Sequence, residues 1–479
     1  MMKTSFGKIL IGAAIVAGVV VGCTKQTSDY IAMNDDALGK TLLQLIEENK
    51  DLSSFAGYLK TTGYDKALSS SKTYTVYAPS NSAFATVDPA ILADPAKLKL
   101  LIGNHISSQR VPANGSLSGN RIAMLNGKYL NTAGKKIDDA NITTADMFAG
   151  NGLLQLVDAV IPARLNCWEF MTTAEAPTSQ SAFMQKLFGN VFDTTNAVVI
   201  GVDPNTGAPI YQPGTDSVYT NVFWNRIYDL RNESKQFTYF MVTNTAWDAE
   251  QTKYKGFFET TTVDSTNKIT GWNVVKEFAV DTVYQPGTIP DTILSKAGIK
   301  VGIDKSAIVK TVKTSNGIVY IMSKLDVRPA DKFLPILIQA ENYTSTSVNR
   351  RSNTYFRDRK DSITGINFSD VLVTGHGVAL FNMRYEINEM PKIKYKAYWK
   401  ALCDFQAVTF QQKLGIGDAT SAILPYITVN VRDYKEVLLG EFTNTRYWPK
   451  YNVFLTAANS TTAAANPLVC DYIKLVPSF

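Results

Sequence analysis

The sequence predicts a multidomain chain: two copies of one α/β (α+β) domain followed by an all-β sandwich. Three observations carry that prediction. Two short patterns recur at nearly the same offset. Thr75-Val76-Tyr77-Ala78-Pro79-Ser80-Asn81-Ser82-Ala83-Phe84 is matched 163 residues later by Thr238-Tyr239-Phe240-Met241-Val242-Thr243-Asn244-Thr245-Ala246-Trp247. Asn151-Gly152-Leu153-Leu154-Gln155-Leu156-Val157 is matched 165 residues later by Asn316-Gly317-Ile318-Val319-Tyr320-Ile321-Met322. Patterns that keep their spacing when they recur mark a duplicated unit, which is more than similarity between two strands. After residue 332 helical periodicity nearly disappears, and short strand-like runs follow at intervals. A chain of 479 residues is also too long for one hydrophobic core.

Taken in order, residues 1–22 read as a targeting leader. Lys3 and Lys8 supply its positive end, and Ile9 to Gly22 is a run of 14 apolar or small residues. That is short of the roughly 20 needed to span a bilayer. The run ends Val20-Val21-Gly22-Cys23, which resembles a bacterial lipobox. The resemblance implies cleavage before Cys23, a thioether-linked diacylglycerol on its sulfur and an N-acyl chain. Several acyl chains together anchor a protein stably where one does not. Residues 23–37 are polar and read as a flexible tether. Lys25, Asp29, Asp35 and Asp36 resemble, weakly, the charged export signals of Bacteroidetes-type surface lipoproteins. The expected location is the outer membrane, lipid-anchored, on the cell surface.

Residues 38–166 form the first expected domain. Thr41 to Ile46 and Phe55 to Leu59 have apolar spacing close to 3.6, and Gly63 closes the second helix. Thr75, Val76 and Tyr77 favour an extended chain, Pro79 disfavours helix at Ala78, and Ser80 or Asn81 can cap the helix that follows. Pro89 and Pro95 punctuate a helical region leading into Leu98 to His105. Residues 111–145 alternate, with turns at Asn114-Gly115 and Asn126-Gly127. Asn151-Gly152 is a turn signal that runs into an apolar strand. Residues 167–332 form the second expected domain. Its insertion, Asp193 to Thr220, is turn-rich at Asp203-Pro204-Asn205-Thr206-Gly207 and Pro213-Gly214, and reads as a hairpin or a loop on one face.

Tyr74 to Phe84 and Asn151 to Ile161 resemble the two signature boxes of the fasciclin (FAS1) domain. Leu101-Ile102-Gly103-Asn104-His105-Ile106 lies where that family carries a leucine-rich, histidine-containing segment. The second copy departs from the pattern: Val242 replaces the proline, Trp247 the phenylalanine, and Glu277-Phe278-Ala279 lacks the histidine. The resemblance implies a compact α/β fold used for adhesion and protein contacts, usually without catalysis.

Residues 333–479 show strand-like runs at Val371 to Val373, Val378 to Phe381, Ile393 to Trp399, Ala407 to Phe410, Tyr426 to Val431, Glu436 to Leu439 and Tyr451 to Leu455. The spacing points to a sandwich or jelly roll. Ile338 to Tyr343 and Asp471 to Pro477 resemble the first and last strands of galactose-binding-like jelly rolls among carbohydrate-binding modules, and Tyr434 to Glu441 fits an inner strand. The resemblance implies a glycan ligand. Trp448, Tyr447 and Trp399 are candidates to stack on a pyranose face, with Arg446 and Asn452 bonding hydroxyls. Trp399 and Tyr451 also read as core residues. Tyr447-Trp448-Pro449 reads as a loop. Glu341 stands where related modules often hold calcium. Those modules usually add a second carboxylate, and here Gln339 takes its place.

Little in the sequence suggests catalysis. The net charge of +6 falls to +4 without Lys3 and Lys8, too little to argue for nucleic acid. The two histidines, His105 and His376, fall in different expected domains and read as structural. No Ser-His-Asp arrangement, paired-cysteine zinc pattern, phosphate loop or pair of facing carboxylates is recognisable. Beyond Cys23 the cysteines are Cys167, Cys403 and Cys470: either Cys403 pairs with Cys470, or all three are buried thiols. Arg350-Arg351 and Arg357 to Asp361 read as a solvated mixed-charge loop. Ser217, Thr282 and Ser362 lie in Asp-Ser/Thr-apolar triplets that resemble Bacteroidetes O-glycosylation sites. The expected function is non-catalytic contact. The first expectation is an accessory subunit beside a SusC/SusD-type TonB-dependent transporter and its SusD-like lipoprotein. The alternatives are a cell-surface adhesin and an accessory to a polysaccharide-degrading enzyme.

Overall fold

Both repeats are built around a central strand whose neighbour is set by a buried Asn-Gly pair. The computed structural model describes residues 38–113, 120–204 and 206–479. The leader, the tether with Cys23, the Asn114-Gly115 turn and Asn205 lie outside the described residues. The chain divides into two units. One runs to Phe170 and adds Leu230–Phe237 and Lys313–Gly317; the other comprises Met171–Asp229, Thr238–Val312 and Ile318–Phe479.

In the first repeat the central strand is Tyr74–Pro79, buried throughout. It pairs antiparallel with Ile106–Ser107 and parallel with Gly152–Val157. Ala140–Ala149 and Lys136–Ile137 extend the sheet. Side chains alternate across the pleat. Val76 and Ala78 meet the helices Leu42–Glu48, Ser53–Thr62 and Pro95–Gly103 through Leu42, Phe55, Leu59 and Ile102. Tyr77 enters a second core with Ile122, Leu130 and Ile137. Ser80 caps the next helix by accepting from the Ala83 N–H, as the sequence predicts.

Asn151 ties these parts together. Its Oδ1 accepts from the Leu42 N–H at 2.7 Å, and its Nδ2 donates to the Leu68 and Ser70 carbonyls at 2.7 and 2.8 Å. Its own carbonyl accepts from the Tyr74 N–H at 3.1 Å. Gly152, at φ +152°, lies so close to the neighbouring strand that a Cβ would stand 1.9 Å from the Tyr74 oxygen. Asn316 repeats the arrangement. It accepts from the Cys167 N–H at 2.9 Å, donates to the Leu230 and Asn232 carbonyls, and receives the Phe237 N–H at 2.9 Å. A Cβ on Gly317, at φ +149°, would again stand 1.9 Å from a carbonyl oxygen, that of Phe237.

Other details recur. The Thr75 hydroxyl bonds the Gln109 carbonyl and the Val111 N–H; Thr238 does the same with Thr282 and Tyr284. Asn81 Oδ1 accepts from Ser54, and Asn244 Oδ1 from Ser179. The strand order Ala279–Val280, Phe237–Val242, Gly317–Met322, Ile308–Thr314 reproduces the order of the four main strands of the first sheet. Phe278 takes the backbone place of His105: its carbonyl accepts from Phe240 as that of His105 accepts from Tyr77.

The last 147 residues form an antiparallel β-module. Its first strand, Ile336–Gln339, pairs with its last, Tyr472–Ser478, in a sheet completed by Lys394–Lys400 and Glu436–Thr443. The second large sheet orders Ser345–Thr346, Asn382–Met390, Trp448–Ala457, Phe410–Ile416 and Ile427–Val429. Met383, Tyr385, Tyr395, Trp399, Val453, Leu455 and Ile473 share one core, as two facing apolar layers require. Two expectations are corrected. Val378 to Phe381 is a turn, with Leu380 in the left-handed region at φ +55°. Of the mixed-charge stretch, Arg350 and Arg351 lie at a turn where Arg351 is exposed, but Thr354–Lys360 is a strand, and the Arg357 side chain, 9 % exposed, meets Asp370 in a two-pronged ion pair of 2.6 and 2.8 Å. Opposite charges brought together desolvate each other acceptably only in such geometry.

A seam of rings attaches this module to the second repeat. Phe257, Phe258, Phe333 and Phe479 pack at centroid distances of 4.9 to 6.2 Å, and Tyr447 meets Phe258 edge-on at 5.8 Å. The Lys392 and Tyr447 N–H groups donate to the Phe257 and Glu259 carbonyls, both at 2.8 Å.

Gly152→Ala and Gly317→Ala are each expected to destabilise the full chain by more than about 2 kcal/mol. Gly207→Ala, at φ +70° with open space around it, should cost less. Chemical denaturation measures all three; an unchanged midpoint for Gly317→Ala would show that the second brace does not hold its repeat. His105 supplies a pH test. Its Nδ1 lies 2.9 Å from the Leu101 carbonyl and its Nε2 accepts from the Ile161 N–H at 2.9 Å, so only the neutral ring satisfies both. Burial pushes its pKa down to about 4, against a backbone bond to Leu101 that raises it. The unfolded chain then binds the extra proton first. The stability gained from the neutral ring is complete above about pH 6.5 and is lost towards pH 4, by about 3 kcal/mol in all. Stability curves of the wild type and His105→Gln should converge in slope if this is wrong.

Candidate functional site

Groups with chemical potential are mostly spent on structure. Both nitrogens of His105 are engaged as above. His376 is 4 % exposed; its Nε2 donates to the Asn466 carbonyl at 2.8 Å and its Nδ1 accepts from the Val378 N–H. Burial lowers its pKa, with the Asn466 bond opposing. Cys167, Cys403 and Cys470 are all free and buried, which decides between the two alternatives the sequence leaves open. Burial pushes the Cys167 thiol up to about 12, and raises those of Cys403 and Cys470.

The predicted glycan-stacking residues do not form one platform. Trp399 is 1 % exposed and part of the β-module core. Tyr447 is buried in the ring seam. Trp448 opens the strand Trp448–Ala457, opposite Met390, so the expected loop is strand at this residue. Its indole is half-buried, with Tyr451 at 5.8 Å and the Arg446 guanidinium 3.7 Å from its centroid. A sugar on that face would have to displace the arginine. A second aromatic pair escaped the sequence reading. Tyr343 and Phe356 lie nearly parallel, 7° apart with centroids at 6.4 Å, and Phe356 is 60 % exposed. The signal was the alternation Tyr355-Phe356-Arg357-Asp358-Arg359, masked by its charges.

Glu341 is half-buried, and one of its carboxylate oxygens has no hydrogen-bond partner. Asp471 is close enough to feel its charge: burial raises the Asp471 carboxyl to about 6, Lys400 opposing and Glu341 and Asp370 adding. The Lys400 ammonium stands 3.2 Å from Asp361 and 3.7 Å from Asp471, supplying the positive charge a cation would bring. Among the described residues no group of three His, Cys, Asp or Glu side chains is placed to hold a metal ion. Calcium does not fit this donor set. Ser217, Thr282 and Ser362 are each exposed.

A run of exposed apolar side chains lies on the insertion in the second repeat. Phe188–Phe192 pairs with Ser217–Asn221, and Val199–Val202 with Pro209–Tyr211. Hydrogen bonds from Asp193 to Asp216 and from Gln212 to Val198 join the two ladders into one two-stranded arm. Phe192, Val199, Ile200, Val202, Ile210 and Tyr219 are 46 to 68 % exposed along it. Residues 188–221 contain three aspartates and no lysine, arginine or glutamate.

Comparison with known proteins adds the following. The family model of the fasciclin domain matches residues 50–163. A Synechocystis protein, sll1483, is 28 % identical over 165 residues, 32 % of this chain and 91 % of that protein. The transforming growth factor-beta-induced protein ig-h3 of Sus scrofa is 24 % identical over 191 residues, 36 % of this chain; the chain spans only 27 % of the pig protein's length. Among solved structures, a FAS1 domain pair from the insect cell adhesion molecule fasciclin I matches 60 % of this chain and all of that one, at 16 % identity and TM-score 0.24. The C-terminal CBM6 of LamC from Zobellia galactanivorans matches 30 % of this chain and 98 % of that one, at 13 % identity and TM-score 0.21.

Thiol titration checks the structural role of the cysteines. Cys167, Cys403 and Cys470 should resist an aromatic disulfide reagent in the native full chain and react together on unfolding. Fast native reaction of any one of them would place it at an accessible site.

Proposed function

We propose that this chain is a non-catalytic surface lipoprotein that works by contact, with two fasciclin-like repeats supporting a protein-binding arm and a β-module that takes a glycan. The observation that carries the reading is the arm. A two-stranded ribbon is only marginally stable alone and leaves strand edges open. Exposed apolar side chains along such a ribbon are the surface a partner protein covers. With acidic residues only, the arm has no electrostatic attraction to anionic lipid, which favours a protein partner with a neutral or basic strand edge.

The fasciclin match at residues 50–163 and the repeated Asn-Gly brace support two copies of one contact fold, residues 38–166 and 167–332, before a jelly roll at 333–479. The leader ending at Cys23 supports an outer-membrane anchor, and with it the finer reading of an accessory subunit beside a SusC/SusD-type transporter. For the glycan, the Tyr343–Phe356 pair is the better platform, because Arg446 already covers Trp448.

Purification of the tagged full chain from outer membranes tests the first part. A TonB-dependent transporter should co-purify stoichiometrically, and Ile200→Lys with Val202→Lys should abolish it without changing thermal stability by more than about 0.5 kcal/mol. Retained binding in the double variant removes the arm from the interface; cell adherence without a transporter favours the adhesin. On a glycan array, Phe356→Ala should lose more signal than Trp448→Ala.

A further inference from the structure

A cavity of about 160 Å³ lies at the ring seam between the second repeat and the β-module. It opens to solvent on one side, so a small molecule can extend beyond it, and it is smaller than a drug-sized pocket. Its walls are of two kinds. Phe258, Phe333 and Pro477 present flat apolar surface, while Lys276, Lys332 and Asn273 supply cations and an amide. Tyr395 also lines it. This residue is 1 % exposed, and its hydroxyl has no hydrogen-bond partner. A buried hydroxyl left unpaired is costly unless something in the cavity answers it.

The charges around the cavity do not balance. Lys332 is buried and pairs with Glu277 at 3.0 Å, and Glu389 is taken by Arg226 at 2.9 Å. Lys276 faces the same cavity, and among the ion pairs of the described residues it has none. Burial pulls the Lys332 pKa down to about 8; Glu277 opposes this and Lys276 adds to it. At this end of the cavity the buried carboxylates Glu277 and Glu250 each already hold a lysine, Lys332 and Lys253, and Lys276 is left over. A small anion would relieve that excess.

We propose that this seam cavity binds a single sugar acid of hexuronate size, its carboxylate towards Lys276 and Lys332, a hydroxyl on Tyr395 and its apolar ring face on Phe258 and Phe333. The carboxylate answers the unbalanced ammonium, the hydroxyls answer the tyrosine and Asn273, and a pyranose face suits an aromatic wall. This site is separate from the exposed aromatic pair proposed above for a glycan. A ligand here touches both the second repeat and the β-module, so it would also brace them.

Calorimetric titration of the full chain with sodium glucuronate tests the proposal, with glucose, acetate and sulfate as comparison ligands. Glucuronate should bind and raise the unfolding temperature, while glucose and acetate bind at least tenfold more weakly. Tyr395→Phe should weaken glucuronate about fivefold, and Lys276→Ala about tenfold or more. Both variants are expected to fold: one removes only an unpaired hydroxyl, the other a half-exposed lysine. Phe356→Ala should leave glucuronate binding unchanged, which separates this site from the glycan platform. Sulfate binding as tightly as glucuronate would reduce the cavity to a simple anion site and overturn the ligand class. Absence of heat with every ligand, or binding indifferent to both variants, would overturn the site.

Discussion

One carboxamide in the core of each repeat holds three segments that are distant in sequence. Asn151 joins the start of the first helix, the chain entering the central strand and the strand beside it. The buried Asn151 amide makes three hydrogen bonds here, and leaving a buried donor or acceptor unmade costs roughly 1–3 kcal/mol. The three segments must therefore arrive together. The glycine that follows removes the only atom that would keep the two parallel strands apart. Helices, cores and the buried histidine are placed relative to that parallel pair. Asn316 and Gly317 apply the same constraint again.

With the brace kept, the rest of the second repeat is free to differ. Phe278 stands where His105 stands, and the neighbouring Glu277 is buried with Lys332. An arm is inserted before the central strand, and the far end of the repeat presents phenylalanines to the β-module. These departures are where surface chemistry accumulates. The second repeat carries the apolar arm and one wall of the seam cavity. The exposed apolar side chains and the seam cavity thus lie on segments where the second copy of the pattern departs from the first.

Much of this was legible beforehand. The two central strands and the helix caps that follow them showed in Thr75 to Phe84 and Thr238 to Trp247 because strand, turn and cap each demand particular residues there. The first and last strands of the β-module were readable around Ile338 and Ile473, and the structure lays these two residues opposite each other. Other features were not. Arg357 reads as surface in any one-dimensional pattern, and only the fold brings Asp370 beneath it. Tyr447 and Trp448 looked equivalent, yet adjacent residues of an extended chain face opposite ways, and one entered the seam while the other met Arg446.

By itself the sequence determined the strands, turns and caps within each recurring pattern and the alternation that commits apolar residues to two faces, since these depend on neighbours a few residues apart. The tertiary structure alone decided which polar groups are spent, which cysteines stay apart and where Lys276, Lys332 and Tyr395 converge. Those outcomes depend on distances between residues scores of positions apart, and a local pattern carries no record of them.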